Sequence, residues 1–409
     1  MAALHPANNT TMTATKTPSH RLFCIATLIG GLSLITLSGP ARAQDSAQTE
    51  QAPRWSARQL ALAEAFAGAL QESLVAGNQG AFLRAWDPAV IARAVCKDVQ
   101  ADEQSLANLR ASLERAAGEA RASWFADWRQ NDVRYKRLVM GDEKLFARFR
   151  LIRDGGISFL DIEMESNGGK WRAVGFRNLA LGSNLIDTLR QMALQTIEKV
   201  DASYATRVFV GAETAEINAE SLGQLIEHRR TGNHRGVVAV CRKMPAKVRE
   251  LAMVTAIYAD ALATLGETDA FVEVIEQAVA RFPAPLFRIA LVDTYLAKKQ
   301  WKKAGRCVDE FMLGVDEDAA LLALRAAIEV AGGEIPSAHT TIRRALTLEP
   351  KCEYVCAQGI EVLLAAKDWA GVRDCIKELE RTGKFDFRGH LEGELWSGFL
   401  AASESTPWR

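Results

Sequence analysis

The stretch that decides the fold is KQWKKAGRCVDEF at Lys299–Phe311, which returns in altered form as KDWAGVRDCIKEL at Lys367–Leu379. Each copy contains three small or apolar residues, the second four positions after the first and the third three positions after the second. They are Ala304, Val308 and Phe311 in one copy and Val372, Ile376 and Leu379 in the other. The same pattern begins at Val237, Phe271 and Ala338, so that five copies begin 33 or 34 residues apart. A fixed period of this length is typical of a repeat architecture.

Each copy is predicted to be the second helix of a helical hairpin. Spacings of three and four residues place the three side chains on one face of a helix. A break precedes every copy, and the five breaks are Gly232-Asn233, Gly266-Glu267, Lys299-Gln300, Gly333-Glu334 and Lys367-Asp368. Pro283 and Pro350 follow two of the second helices, where the chain must leave the helical conformation. Because a single hairpin cannot bury its apolar face, neighbouring hairpins are expected to stack.

The region from Asn218 to Thr382 resembles the tetratricopeptide repeat family. Small residues stand at the positions where helices of that family pack closely, and these are Ala259, Ala326, Ala304, Ala338, Ala278 and Ala345. Trp301 and Trp369 occupy the family's aromatic turn position, whereas Phe271 and Val372 stand where a small residue is usual. The resemblance implies an all-α, tetratricopeptide-like solenoid over residues 218–384 with about five hairpins.

The same resemblance implies a binding groove, because first-helix side chains line the concave surface in that family. The positions carried over include Asp260, Asp293, Glu361, Leu286, Ile289, Leu296, Tyr354 and Leu364, together with Ala320, Ala323 and Ala327. The recurring acid favours a partner that is a protein or peptide with a basic segment.

Two other interpretations of the groove stay open. The acids are merely solvated, or the protein's own C-terminal tail with Trp396, Phe399 and Trp408 fills the groove. The apolar residues between Leu391 and Phe399 predict a capping helix at 385–402 that covers the last hairpin.

The N-terminus has the order of a secretory signal peptide. Lys16 and Arg21 precede a charge-free apolar stretch at Leu22–Leu37, and the small-x-small sequence Ala41-Arg42-Ala43 follows. We therefore expect a signal peptide at 1–43, a linker at 44–54, and a periplasmic or secreted mature chain that does not insert into a membrane. A retained anchor is the second interpretation, although the apolar stretch is shorter than the ~20 residues that span a bilayer.

Residues 55–200 predict an α+β domain, which a connector at 201–217 joins to the repeats. Helices come first, and a four-stranded antiparallel meander follows at Val133–Met140, Lys144–Arg153, Ile157–Ser166 and Lys170–Asn178. In the simplest register one apolar face crosses all four strands, from Val133, Tyr135 and Val139 on the first to Trp171, Ala173 and Gly175 on the last. This order of elements resembles the fold shared by nuclear transport factor two and ketosteroid isomerase.

The α+β domain shows no catalytic constellation, since it has no histidine that could serve as a general base. In the same register Arg148 lies opposite Asp161, and Arg172 lies opposite Glu163, on the outer face of the sheet. This arrangement predicts a solvated ladder of cross-strand ion pairs.

A candidate ligand pocket is predicted on the inner face of the sheet. Arg137 falls there, near Tyr135 and Trp171, and could hold an anionic ligand. The alternative is an edge strand whose guanidinium extends to water.

Cysteine and charge patterns add little further chemistry. Cys352 and Cys356 stand four residues apart at a helix start, where a disulfide can form if the first turn frays, and two buried thiols are the alternative. No metal-ligand spacing and no cofactor motif is found. Fifty basic residues balance fifty acidic ones, so that the net charge gives no footprint for nucleic acid.

Together these patterns predict an exported, non-enzymatic scaffold for protein–protein interaction. The alternative is a small-molecule binder or enzyme that uses a pocket in the N-terminal domain. A third hypothesis is a purely structural subunit of an envelope assembly.

Overall fold

A computed structural model of the chain describes residues 55–186, 221–281 and 285–408, with gaps of one to three residues inside these ranges. The described residues fall into two compact units, one that ends at Leu286 and one that begins at Phe287. The predicted signal peptide, linker and connector lie outside the described residues. Among the residues described, no helix combines the length and the apolar character needed to cross a membrane.

Four helices and a sheet open the described chain. The helices are α1 (Ala57–Val75), α2 (Gln79–Ala85), α3 (Pro88–Cys96) and α4 (Glu103–Trp128). The strands are β1 (Asp132–Met140), β2 (Leu145–Arg153), β3 (Gly156–Asn167), β4 (Lys170–Asn178) and the two-residue β5 (Ser183–Asn184). All neighbouring strands are antiparallel and follow chain order, which confirms the predicted four-stranded meander and adds a short fifth strand.

The helices cover one face of this sheet and form an aromatic core with it. Trp86, Trp124 and Trp128 come from the helical region and meet Phe176 of β4 edge to face, with ring centroids 5.3–6.2 Å apart. The Asp87 amide also donates a hydrogen bond to the Ala173 carbonyl of β4 at 3.1 Å. The helices before the sheet are thereby fixed to its inner face.

The predicted inner face is confirmed on β2 and β3, but a bulge changes it on each of the outer strands of the meander. In β1 the register shifts between Tyr135 and Arg137, so that Leu138 instead of Arg137 lies opposite Ala147. In β4 a shift opposite Glu163 and Met164 brings Phe176 onto the inner face. A bulge inserts one residue and therefore exchanges the two faces beyond it.

Helices make up the rest of the described chain. They are α5 (His234–Lys243), α6 (Ala246–Arg249), α7 (Ala252–Thr264), α8 (Thr268–Arg281), α9 (Val292–Ala297), α10 (Trp301–Val315), α11 (Ala319–Ala331), α12 (Ile335–Leu348), α13 (Glu353–Ala365), α14 (Trp369–Arg381) and α15 (Glu394–Ala401). Two 3-10 segments lie at Pro285–Leu291 and Ser403–Trp408.

Successive helices pack in pairs within each unit. In the first unit α7 contacts α5 and α8. In the second unit the pairs are α9 with α10, α11 with α12, and α13 with α14, and α11 also contacts α13.

The five predicted breaks all end a helix in the same way. Gly232, Gly266, Lys299, Gly333 and Lys367 have positive φ angles between 55° and 84°. The amide of the next residue donates to the carbonyl five positions earlier, at 2.7–2.9 Å, in all five turns. This pair of features is the Schellman motif, in which a left-handed residue closes the helix.

The residues after these breaks form the buried face that the repeat predicts. The five triads are Val237, Cys241 and Met244; Phe271, Ile275 and Ala278; Ala304, Val308 and Phe311; Ala338, Ile342 and Ala345; and Val372, Ile376 and Leu379. None of the fifteen side chains is more than 4% exposed.

The C-terminal tail packs on the last helix pair. Phe399 of α15 lies 6.5 Å from Trp369 and 6.1 Å from Trp408, measured between ring centroids. The Trp408 indole donates to Glu380 Oε1 on α14 at 2.8 Å. The tail therefore has contacts of its own at α14, which weakens the interpretation that it fills the groove.

Replacing Lys367 by glycine is expected to stabilise the protein. A side chain in the left-handed region costs about 1–2 kcal/mol, while glycine loses roughly 0.5–1 kcal/mol more chain entropy on folding. We expect Lys367→Gly to raise the free energy of unfolding by about 0.5–1 kcal/mol, as measured by urea denaturation of the full chain.

Gly333→Lys is the matched control at the equivalent turn. A Cβ at Gly333 would meet no atom within 4 Å, so its effect reports backbone conformation alone. Gly333→Lys should lower the free energy of unfolding. If Lys367→Gly lowers it as well, the left-handed backbone conformation does not explain the effects.

Candidate functional site

The structure exposes only part of the predicted groove. Asp293, Leu296, Tyr354 and Glu361 are half-buried, and so are available to a partner. Asp260, Ile289 and Leu364 are buried, with 8%, 7% and 5% exposure. The side chain of Leu286 lies outside the described residues.

The alanines assigned to the groove have a different role. Ala320, Ala323 and Ala327 are at most 2% exposed, on a helix that packs against α10, α12 and α13. Their interpretation as a partner surface is wrong, because neighbouring helices of the same chain already cover them. Small side chains here let the helix axes approach closely.

Asp260 is also wrongly placed among the exposed acids. It lies on α7 in the first unit, and burial raises the pKa of its carboxyl above the ordinary value, against the opposing effects of Arg229 and His234. Burial also lowers the pKa of Arg229, which the charge of Asp260 partly offsets. Asp260 is thus buried near Arg229 and His234 instead of being presented to solvent.

Asp293 and Glu361 are the two acids of the predicted groove that lie in the second unit. Asp293 stands in the first turn of α9, and Glu361 lies on α13. Within the residues that the structure describes, neither carboxylate has a hydrogen-bond or ion-pair partner. Burial raises the pKa of Asp293 to about 6, so that its charge at neutral pH is held in a poorly solvated position.

The raised pKa of Asp293 predicts a pH dependence of stability. The ordinary carboxyl pKa of about 3.9 applies in the unfolded chain, so the folded chain binds the proton more tightly. The free energy of unfolding should therefore fall as pH rises from about 4 to about 6. Asp293→Asn should remove this decrease. The free energy of unfolding of the variant should exceed that of the original protein by about 1–2 kcal/mol at pH 7 and differ little from it at pH 4.

Urea denaturation at the two pH values checks this expectation. Glu334→Gln, which alters an exposed carboxylate at the turn before α12, is the control. Its difference in free energy of unfolding from the original protein should be the same at pH 4 and pH 7. An Asp293→Asn difference that is equal at pH 4 and pH 7 would contradict the burial of its charge.

The three residues of the predicted ligand pocket do not come together. Tyr135 lies 5.7 Å from Phe149 and Trp171 lies 5.4 Å from Trp55, measured between ring centroids, at the inner core. Arg137 is exposed and lies opposite Arg148, whose side chain is on the outer face. The inward placement of Arg137 is wrong because the β1 bulge reverses the direction of residues beyond Tyr135.

The inner core instead contains buried polar groups that the sequence did not single out. Trp86 Nε1, Trp124 Nε1 and the Tyr135 hydroxyl are buried and have no hydrogen-bond partner among the described atoms. Burial, followed by the nearby charge of Glu64, raises the pKa of Tyr135 to about 12, so that its hydroxyl stays protonated. Nothing in the sequence separated these aromatic side chains from ordinary core residues.

The outer face of the sheet carries a buried ionic cluster. Asp161 has no exposed surface, and its Oδ1 and Oδ2 accept from Arg148 Nε at 2.7 Å and from Arg148 Nη2 at 3.0 Å. Arg177 donates to Oδ2 through both Nε and Nη2, at 3.0 and 2.8 Å. Its guanidinium also lies 4.3 Å from the centroid of the Phe146 ring.

The predicted Arg148–Asp161 pair is confirmed, but the solvated ladder is wrong here. Every residue of β2 from Leu145 to Ile152 is buried, so that both faces of this strand are shielded from water. The β4 bulge also moves Arg172 from Glu163 to Glu165. The outer face is therefore an interior surface around Asp161.

Asp161→Asn is expected to destabilise the protein strongly. The substitution leaves two guanidinium groups without their shared negative charge, and breaking a buried ion pair costs about 3–5 kcal/mol. Glu165→Gln, an exposed position on the same strand, is the control and should change stability by less than about 0.5 kcal/mol. Thermal and urea unfolding followed by circular dichroism measure both, and equal effects would contradict the role given to Asp161.

One histidine–carboxylate pair lies in the helical region. His339 Nε2 is 2.7 Å from Asp368 Oδ2, and Arg343 also pairs with this carboxylate. Asp368 Oδ1 accepts from the Gly371 amide at 3.1 Å and so caps α14. Burial alone would raise the pKa of Asp368, but these partners together lower it. Asp368 thereby connects His339 and Arg343 of α12 to the start of α14.

The cysteines differ from the predicted pairing. All six described cysteines are buried, and none of them is in a disulfide. The Cys356 thiol donates to the Pro350 carbonyl oxygen at 3.4 Å and is not joined to Cys352. No group of three or more His, Cys, Asp or Glu side chains suited to a metal ion occurs in the part of the chain that the structure describes.

No protein-family model, curated protein or solved structure matches this chain.

Proposed function

We propose that this protein is an exported, non-enzymatic scaffold whose helical region binds a basic segment of another protein. In this proposal the paired helices form a tetratricopeptide-like superhelix, and the first helices α9, α11 and α13 line its concave side. The predicted signal peptide would place the scaffold in the periplasm or outside the cell.

The repeated turn supports the superhelical arrangement. Five helices end in the same left-handed geometry at intervals of 33 or 34 residues, and the buried triads follow at the same intervals. Similar turns at nearly equal spacings favour a regular rotation from one helix pair to the next within a unit.

The observation that carries the binding proposal is the pair of unpartnered acids on α9 and α13. A carboxylate that is partly removed from water gains more from a cation than an exposed one does, since screening by solvent is weaker. Asp293 and Glu361 both have this character, and Tyr354, which is also half-buried, stands about two helical turns before Glu361 on α13. A tyrosine ring adds a face on which a lysine or arginine can lie.

Peptide selection tests the proposal without a known partner. Random linear peptides displayed on phage are selected on the immobilised full chain, and enriched sequences are synthesised for fluorescence anisotropy. We expect enriched peptides to contain lysine or arginine, and Asp293→Asn with Glu361→Gln to weaken binding by about tenfold or more. Affinity should also fall below pH 6, because Asp293 becomes protonated there.

Glu334→Gln is the matched control, since it removes a carboxylate outside the groove and should leave affinity unchanged. Circular dichroism of each variant excludes loss of fold as the cause. Enriched peptides without basic residues, or unchanged affinity in the double variant, would overturn the proposal.

A second candidate function rests on the buried polar groups of the N-terminal domain. Trp86 Nε1, Trp124 Nε1 and the Tyr135 hydroxyl are donors that an acceptor-bearing small molecule would satisfy. Because Arg137 lies on the outer face, the cation predicted beside these donors is not there, which favours a neutral acceptor over an anion.

A further inference from the structure

Two thiols of the last helix pair line the same cleft. Cys356 is on α13 and Cys375 is on α14, and these two helices pack against each other. A Cβ built on Gly359, one helical turn after Cys356, would lie 3.5 Å from Cys375 Sγ. The absence of a side chain at Gly359 thus lets the second thiol approach α13 at the level of the first.

The two thiols line a cleft that begins at the protein surface. Its volume is about 240 Å³, and its other lining residues are Arg343, Leu346, Thr347, Pro350, Gly371 and Asp374. Arg343, Thr347 and Asp374 are exposed, whereas Cys356 and Cys375 are only 0% and 3% exposed. The cleft therefore extends from exposed surface residues to the two buried cysteines.

The two sulfur atoms differ in their readiness to react. The hydrogen bond from Cys375 lowers the pKa of Cys356, against the effect of burial. The same hydrogen bond, then burial, raises the pKa of Cys375, so that this thiol keeps its proton. Thiolates and not thiols attack disulfides, and both thiols line the same cleft, so these directions favour Cys356 as the attacking group and Cys375 as the resolving group.

We propose that Cys356 and Cys375 form a redox-active dithiol site that takes a small disulfide as its oxidant and closes to an intramolecular disulfide between α13 and α14. This site is independent of the peptide groove, and it replaces the pairing of Cys352 with Cys356 that the sequence suggested.

The reaction balances in two exchanges. The Cys356 thiolate attacks one sulfur of the small disulfide, whose S–S bond breaks, and the departing thiolate takes up the proton that Cys356 had lost. Cys375 then loses its proton and attacks Cys356 Sγ in the mixed disulfide, which releases the second small thiol with that proton. The protein loses two electrons and two protons, and the oxidant takes up both and is reduced to two thiols.

The two sulfur atoms must approach to about 2.05 Å for this bond to form. The required movement joins two helices that already pack together, in a region where Phe399 and Trp408 cover the same pair. Closure would therefore fix the C-terminal end of the helical region, and the predicted export would place it where disulfides persist.

Oxidised glutathione serves as the probe on the full chain under native conditions. We expect an intact mass about 2 Da lower, the mass of two hydrogen atoms, and reversal by dithiothreitol. Trypsin cuts after Lys351, Lys367, Arg373 and Lys377, so the disulfide should link peptide 352–367 to peptide 374–377, and fragmentation of the linked peptides should place the bond at Cys356 and not at Cys352. A disulfide inside peptide 352–367 would instead show the pair with Cys352 and would overturn the proposal, as would an unchanged mass.

Three variants separate the roles of the two thiols. Cys375→Ala should stop at the mixed disulfide and gain one glutathionyl group at Cys356, whereas Cys356→Ala should not react. Cys307→Ala, a buried cysteine on α10, is the control and should form the cross-link as the original protein does. Equal reactivity of all three variants would overturn the proposal, and the peptide map of the unaltered chain decides it even if a variant fails to fold.

Discussion

The packing of each second helix against its neighbours is the interaction on which the helical region depends. Five triads of side chains, from Val237 to Leu379, are removed from water together, and no isolated hairpin could bury them. The left-handed turn before each triad fixes where one helix ends and the next begins. Glycine suits that conformation at three turns, whereas Lys299 and Lys367 adopt it against their steric preference.

The same packing limits which surfaces a partner can reach. Small side chains allow close contact between helices, and neighbouring helices bury these three residues, which are therefore not part of the groove surface: Ala320, Ala323 and Ala327. Asp293 and Glu361 are left half-buried and unpartnered within the described residues, which is the condition under which a basic segment would gain most. In this proposal the binding surface consists of the side chains that internal packing leaves partly exposed.

In the N-terminal domain two bulges have comparable consequences. One inserted residue in β1 sends Arg137 away from Tyr135 and removes the cation from the predicted pocket. On the other face Asp161 accepts from two arginines at zero exposure, although an alternating strand pattern predicted a solvated ladder. Alternation describes which residues share a face, but it does not say whether that face is covered.

The sequence by itself determined the helix period, the five breaks, the buried triads, the four-stranded meander and the Arg148–Asp161 pair. Each of these depends on neighbours a few residues apart in the chain or directly across a hairpin, so residue spacing contains the information. Only the tertiary structure decided that Asp260 is internal, that Arg137 faces outward, and that Cys356 shares a cleft with Cys375 and is not joined to Cys352. Those outcomes depend on which separate helices and strands cover a residue, and no local spacing encodes that.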